Sequence, residues 1–196
     1  MRPDTQAPDA KTRAAALAAF LFLAGVAYLS VALVRPPHTV SESAPPSEFS
    51  SGRALRHVRE MTRAPHPTGS AENARVRAYL LAELRALGLD AEVQTAEFVP
   101  KQRAGGFPSA AGLVHNVVAR LRGTRNSKAL MLAAHYDSVP TGPGATDDAA
   151  GVAALLETLR ALKTEGPLTN DLILLVTDGE ELGLIGAHAF AKQHPW

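Results

Sequence analysis

Residues 135–151 read HYDSVPTGPGATDDAAG, and residues 178–181 read DGEE. An imidazole and several carboxylates crowded into two short stretches have few chemical uses. Carboxylates repel at close range unless a proton or a cation lies between them. Either these stretches are solvated loops, or they hold something positive. The chain has no cysteine, so any metal must be held by His, Asp and Glu. His135 and Asp137 stand two apart, and on an extended chain their side chains face the same way. A metal-bound imidazole generally passes its second N–H to a carboxylate or carbonyl, and Asp137 is placed to receive it. Asp147 and Asp148 follow a Gly-Pro-Gly turn and open a helical pattern, so helix capping competes with metal binding for them. Glu180 and Glu181 are neighbours at a strand end, where adjacent side chains diverge. One suits a metal and the other a water beside it. A helix start enriched in acids is the plain alternative.

These residues can meet only if the elements before them end on one rim. KALMLAA, Lys128 to Ala134, is nearly all apolar, as expected for a strand covered on both faces. DLILLVT, Asp171 to Thr177, reads the same way. Between them Val152, Leu155, Leu156, Leu159 and Leu162 mark one side of a helix. Strand, helix, strand, helix implies a layered α/β fold, and such sheets bind ligands beyond the carboxyl ends of their strands. HYD and DGEE both fall there. Upstream, ALRHVREMTR suggests a helix stopped by Pro65 and Pro67. Ser70 caps a second, with Val76, Leu80, Leu84 and Leu87 as its stripe and Gly88 at its end. DAEVQTAEFV reads as an exposed edge strand and LVHNVVARLRG as a second strand. A last helix covers roughly Gly183 to Gln193. His57, His66 and His115 read as surface or loop histidines, and His38 lies in a linker.

The 196 residues carry a net charge of +1 and only 5% aromatics, so neither an electrostatic nor a stacking basis for nucleic acid exists. Ala14 to Val34 is a run without charge, long enough to cross a ~30 Å hydrocarbon core. Arg2, Lys11 and Arg13 precede it and Arg35 follows. The positive-inside rule then keeps residues 1–13 cytoplasmic and places the rest in a periplasm or lumen. A cleaved signal peptide, with Ser30-Val31-Ala32 as a weak site, is the alternative. Residues 35–52 are rich in Pro and Ser and read as a linker; residues 53–196 form the globular part.

Taken together, AAHYDS, GATDDAAGVAALLE and LLVTDGEELGLIGA resemble the co-catalytic di-zinc exopeptidases of clan MH, the aminopeptidase Y and glutamate carboxypeptidase family. PHPTGS and NVVARLRG extend the likeness upstream. With an apolar helix in front, the branch it resembles is that of the endoplasmic-reticulum metallopeptidases and vacuolar membrane proteases. The resemblance implies an α/β fold: a three-layer domain with a mixed, largely buried sheet, incomplete at its C-terminal end and preceded by one transmembrane helix. It also implies two zinc ions and a peptide substrate. His135 would bind one zinc and Glu181 the other. Asp147 would bridge both and be followed by a cis bond to Asp148. Glu180 would be the general base and Asp137 would orient His135.

Each zinc is then one short of the usual three protein ligands. The missing ligands are expected beyond Trp196, since His188 and His194 sit on a helix leading away from the rim. On this count these 196 residues alone would bind zinc weakly and show no substantial peptidase activity. Two other functions compete. One is a non-catalytic receptor or assembly domain of the same fold, which intact His135, Asp147, Glu180 and Glu181 argue against. The other is a single-zinc acyltransferase of glutaminyl-cyclase type, which a metal count would separate.

Overall fold

A computed structural model describes residues 9–36, 38–98, 112–125 and 128–195. The chain falls into two compact units, Met1–His38 and Thr39–Trp196. In the first, α1 (Ala10–Leu33) runs for 24 residues. The Asp9 carboxylate caps it, accepting the Thr12 N–H at 2.8 Å. α1 is long and apolar enough to cross a membrane, a test that a signal sequence also meets. Phe20, Phe22 and Tyr28 are each more than 60% exposed. Such a helix, apolar all round, needs lipid or another apolar cover.

The second unit is built on four strands: β1 (Ala91–Phe98), β2 (Gly112–Leu121), β3 (Leu130–His135) and β4 (Leu172–Thr177). Their order is β1-β2-β4-β3, with β1–β2 and β2–β4 antiparallel and β3–β4 parallel. The sheet is therefore mixed. Side chains of opposite parity on β2 sort into two cores, as the strand period of two requires. Val117, Ala119, Leu172, Leu174 and Val176 face α2 (Ser51–Met61), α3 (Ala71–Ala86) and α4 (Ala150–Thr164). Val114, with Ala96 of β1, faces Ile185 and Ala189 of α5 (Ile185–Gln193). Helices thus cover both faces, which makes three layers. Among the described residues β1 lies at an edge of the sheet, as expected.

Two expectations need correction. β3 is not covered on both faces: Leu130 is 60% and Met131 48% exposed, because among the described residues β3 has a neighbour, β4, on one side only. Its apolar composition matches that of β4, whose six residues are all buried, so composition alone could not separate them. The segment read as a linker is fastened to the body from Val40 on. The Arg53 guanidinium donates to the carbonyls of Glu42, Ala44, Pro45 and Glu48. Arg160 donates to the carbonyls of Pro46 and Glu48. Both arginines pair with Glu157, which is 0% exposed and also accepts the Ser50 N–H at 2.9 Å. Polar bonds to main-chain oxygens hold this strap, so it shows no apolar period.

Close packing of α5 on the sheet has a testable consequence. A Cβ added at Gly186 would lie 2.2 Å from both the Asn116 Oδ1 and the Asp178 carbonyl oxygen. Backbone on one side leaves little room to yield. Gly186→Ala is expected to destabilise the protein by about 1–3 kcal/mol, as overpacking does. Urea unfolding checks this; an unchanged midpoint would mean that α5 shifts without cost.

Candidate metal centre

The parallel pairing of β3 with β4 sets His135 opposite Thr177, so both strands end on one rim. The ladder runs one step further, the Tyr136 N–H donating to the Thr177 carbonyl at 3.0 Å. From there each strand releases its loop. Gly144, in the left-handed region at φ 66°, turns the first loop into a five-residue turn, Ala145–Ala149, whose backbone leaves the helical region at Asp147 and Asp148. This turn carries Asp147 and Asp148, joined by a cis peptide bond, into α4. Gly179, at φ 71°, turns the second loop, which carries Glu180 and Glu181.

The turn divides the two aspartates. Asp147 points its Oδ1 to within 2.9 Å of the His135 Nε2. Asp148 turns the other way and does the capping, accepting the Gly151 N–H at 3.1 Å and the His135 N–H at 3.3 Å. One ligand atom each from His135, Asp147 and Glu181 come within 4.8 Å of one another. Glu180 lies beside them, its Oε2 3.8 Å from the His135 Nε2. On the far side of the ring, the His135 Nδ1 lies 3.1 Å from the Asp137 carbonyl oxygen and 3.4 Å from its carboxylate. The ring is thus held from behind with Nε2 facing the acids.

The electrostatics of this rim favour a cation. Burial alone would lower the His135 pKa, yet hydrogen bonds to Asp137 and Asp147 raise it to about 9. Burial pushes the Glu181 carboxyl up, and the charges of Asp147, Asp137 and Glu180 add to this. Burial would also raise Asp137, but its hydrogen bonds with His135 and the amides of Glu180 and Glu181 hold it below the usual range. One imidazole nitrogen and two carboxylates, with a third carboxylate behind the imidazole, form a donor set that suits zinc. The residues present therefore fit that metal.

The model for Peptidase family M28 matches residues 116–196. Over that stretch the chain is similar to peptidase family M28. Among curated relatives, a vacuolar membrane protease of Yarrowia lipolytica is 36% identical over 183 residues, covering 83% of this chain and 18% of that protein. Endoplasmic reticulum metallopeptidase 1 of Rattus norvegicus is 34% identical over 163 residues, covering 76% and 18%. The chain thus spans less than a fifth of the length of these relatives. Among solved structures, glutaminyl cyclase of Porphyromonas gingivalis has a TM-score of 0.63 at 25% identity, covering 76% of this chain and 55% of that one. BSAP, a zinc aminopeptidase of Bacillus subtilis, has a TM-score of 0.63 at 16% identity, covering 74% and 66%. That likeness shows a shared fold.

The rim also contains residues to which the sequence pattern gave no individual role. Asp178, 0% exposed, accepts from the Thr68 hydroxyl, the Asn73 amide and the His115 N–H at 3.0, 3.1 and 3.0 Å. Burial pushes its carboxyl up, with the charge of Asp137 adding to this and the three donors opposing it. His66, read as a loop histidine, is 2% exposed. Its N–H donates to the Ser138 hydroxyl at 2.8 Å, tying PHPTGS to the end of β3. The signals in the sequence were PHPTGS, which holds His66 and Thr68, and DGEE, which holds Asp178; nothing there marks Asn73. His194 lies at the other end of the body, its Nε2 2.8 Å from the Glu92 carboxylate on β1.

Proposed function

We propose that this chain forms part of a membrane-anchored, zinc-dependent exopeptidase of aminopeptidase type. The observation that carries the reading is the convergence of His135, Asp147 and Glu181 on one point, with Glu180 beside it. In the finer reading His135, Asp147 and Glu181 would hold two zinc ions, His135 serving one, Glu181 the other and Asp147 both. On the usual count of three protein ligands, each then takes one more from elsewhere in the protein. Zinc supplies Lewis acidity there: it polarises the scissile carbonyl and acidifies water.

The chain's own groups do the rest. Asp137 holds the His135 ring by its Nδ1 side and fixes which nitrogen faces the ligand cluster. The same carboxylate accepts the N–H groups of Glu180 at 3.0 Å and Glu181 at 3.1 Å, so one residue registers both loops. Glu180, about one-third exposed, is the general base that takes a proton from water during attack on the peptide carbonyl. α1 is the anchor, with residues 1–13 on the cytoplasmic side and the peptidase body outside the cytoplasm.

A metal titration of the protein isolated from its native membrane tests this reading. Bound zinc is expected, and His135→Ala is expected to weaken it by at least about tenfold, since the change removes a direct ligand. Equal binding by the variant would end the metal-centre reading. The likeness to glutaminyl cyclase at 25% identity keeps a single-zinc acyltransferase as the second reading. Two zinc ions per chain favour the peptidase; one, together with cyclisation of N-terminal glutamine, favours the second.

A further inference from the structure

Thr68 stands between two buried carboxylates that the proposed mechanism uses unequally. Asp137 and Asp178 are 1% and 0% exposed. The Thr68 Oγ1 lies 3.0 Å from the Asp178 Oδ1 and 3.3 Å from the Asp137 Oδ2. A hydroxyl has one proton to donate, so these two anions share a single donor. Without it, two like charges would face each other in a buried space, where repulsion is poorly screened.

Each carboxylate fixes a different part of the rim. Asp178 is bound to the His115 N–H of β2 and to the Asn73 amide of α3, and its own N–H donates to the Asn116 Oδ1 at 3.1 Å. It therefore holds the start of the 178–181 loop to the body. Asp137 holds the end of that loop, through the amides of Glu180 and Glu181, and also holds His135. The spacing between the two carboxylates sets where Glu180 and Glu181 arrive relative to His135.

We propose that Thr68 is a positioning residue of the metal centre, its hydroxyl clamping Asp137 to Asp178 and thereby setting the position of Glu180 and Glu181 against His135. The proposal rests on the metal-centre reading above. PHPTGS thus has a role: the Ser138 hydroxyl takes the His66 N–H, which steadies the loop from which the Thr68 hydroxyl reaches the carboxylates.

The test is a zinc titration, with a chromophoric chelator as competitor, of the protein and its variants isolated from the native membrane. Thr68→Val keeps the shape and removes the hydroxyl. It is expected to weaken zinc by roughly 10- to 100-fold, the usual cost of losing a partner behind the ligands. It is also expected to speed hydrogen exchange at the Glu180 and Glu181 amides. Thr68→Ser, which keeps the hydroxyl, is expected to match the unaltered protein. Asn73→Ala also strips a donor from Asp178 but leaves the Thr68 clamp, and is expected to weaken zinc clearly less than Thr68→Val does.

Unchanged zinc affinity in Thr68→Val, while His135→Ala loses it, overturns the clamp and spares the metal centre. Equal losses in Thr68→Val and Asn73→Ala also overturn it, since the effect would then be structural. Unchanged binding in His135→Ala overturns the metal centre and the clamp together. Should Thr68→Val fail to fold, the unaltered protein still decides. A slowly exchanging Thr68 hydroxyl proton is expected by NMR, and a hydroxyl in fast exchange with water overturns the clamp.

Discussion

Glu180→Gln is expected to lower kcat by about 10²–10⁴-fold while leaving zinc affinity unchanged, the range that a general base typically contributes. Gln preserves the length of the side chain and the N–H that Asp137 accepts, so the loop should keep its place. What it loses is the ability to take a proton. The carboxylate reaches to within 3.8 Å of the His135 Nε2, beside the ligand cluster and not in it. Glu181→Gln offers the contrast, because a lost ligand should appear as lost metal. Measuring kcat on an aminoacyl substrate and zinc affinity on the same preparations separates the two roles. A Glu180→Gln protein within tenfold of the unaltered rate would remove Glu180 from the chemistry. A non-catalytic module would show no turnover in either protein.

Glu157→Ala is expected to destabilise the body by about 1–3 kcal/mol, the cost of unmaking hydrogen bonds to a buried charged group. Arg53 and Arg160 both lose their carboxylate, and the Ser50 N–H loses its acceptor at 2.9 Å. The figure is the cost of breaking the cluster, not the net worth of having it. Burial would raise the Glu157 carboxyl, but hydrogen bonds from Arg160, Arg53 and the Ser50 N–H outweigh it and hold the group below its ordinary 4.5. A group lowered on folding stabilises the folded state fully above its unfolded value, and that share is lost as pH falls through the folded one. Glu157→Ala should therefore lower the urea midpoint near neutral pH and flatten its fall below about pH 4.5. A midpoint unchanged at pH 7 would mean that the strap contributes nothing to stability. The strap should also become open to limited proteolysis between Val40 and Ser50.

Strand β4 could be read from its letters because both its faces are covered, so burial and composition agree. Strand β3 carries the same kind of letters at a sheet edge, and the sequence offers no sign of which strand lies outermost. His135, Asp147 and Glu181 were legible because acidic groups followed two apolar runs, and parallel neighbours must end on one rim. The division of labour between Asp147 and Asp148 was left open by spacing; it depends on the backbone of the turn, which sends one side chain to His135 and the other to the Gly151 N–H. Thr68, Asn73 and Asp178 stayed hidden for a different reason. A threonine and an asparagine are common in loops and helix starts, and their value here lies in partners more than a hundred positions away. His66 was misjudged because proline on either side suggests an exposed turn, whereas the turn is folded under the rim. The strap was missed because main-chain carbonyls, which every residue has, are what the two arginines recognise.

The rim is made of pieces that leave the ribosome at different times. Asp137 and Glu181, which bond to each other, are 44 positions apart. At ordinary rates of synthesis that separation is about 2–9 s. Thr68, 110 positions ahead of Asp178, waits longer still. Until β4 emerges, β3 has no partner strand among the described residues, and its apolar side chains are open to chaperones and to neighbouring chains. Quality control therefore meets β3 as an unpaired strand tipped with His135, and a delay in synthesis between α4 and β4 would lengthen that exposure.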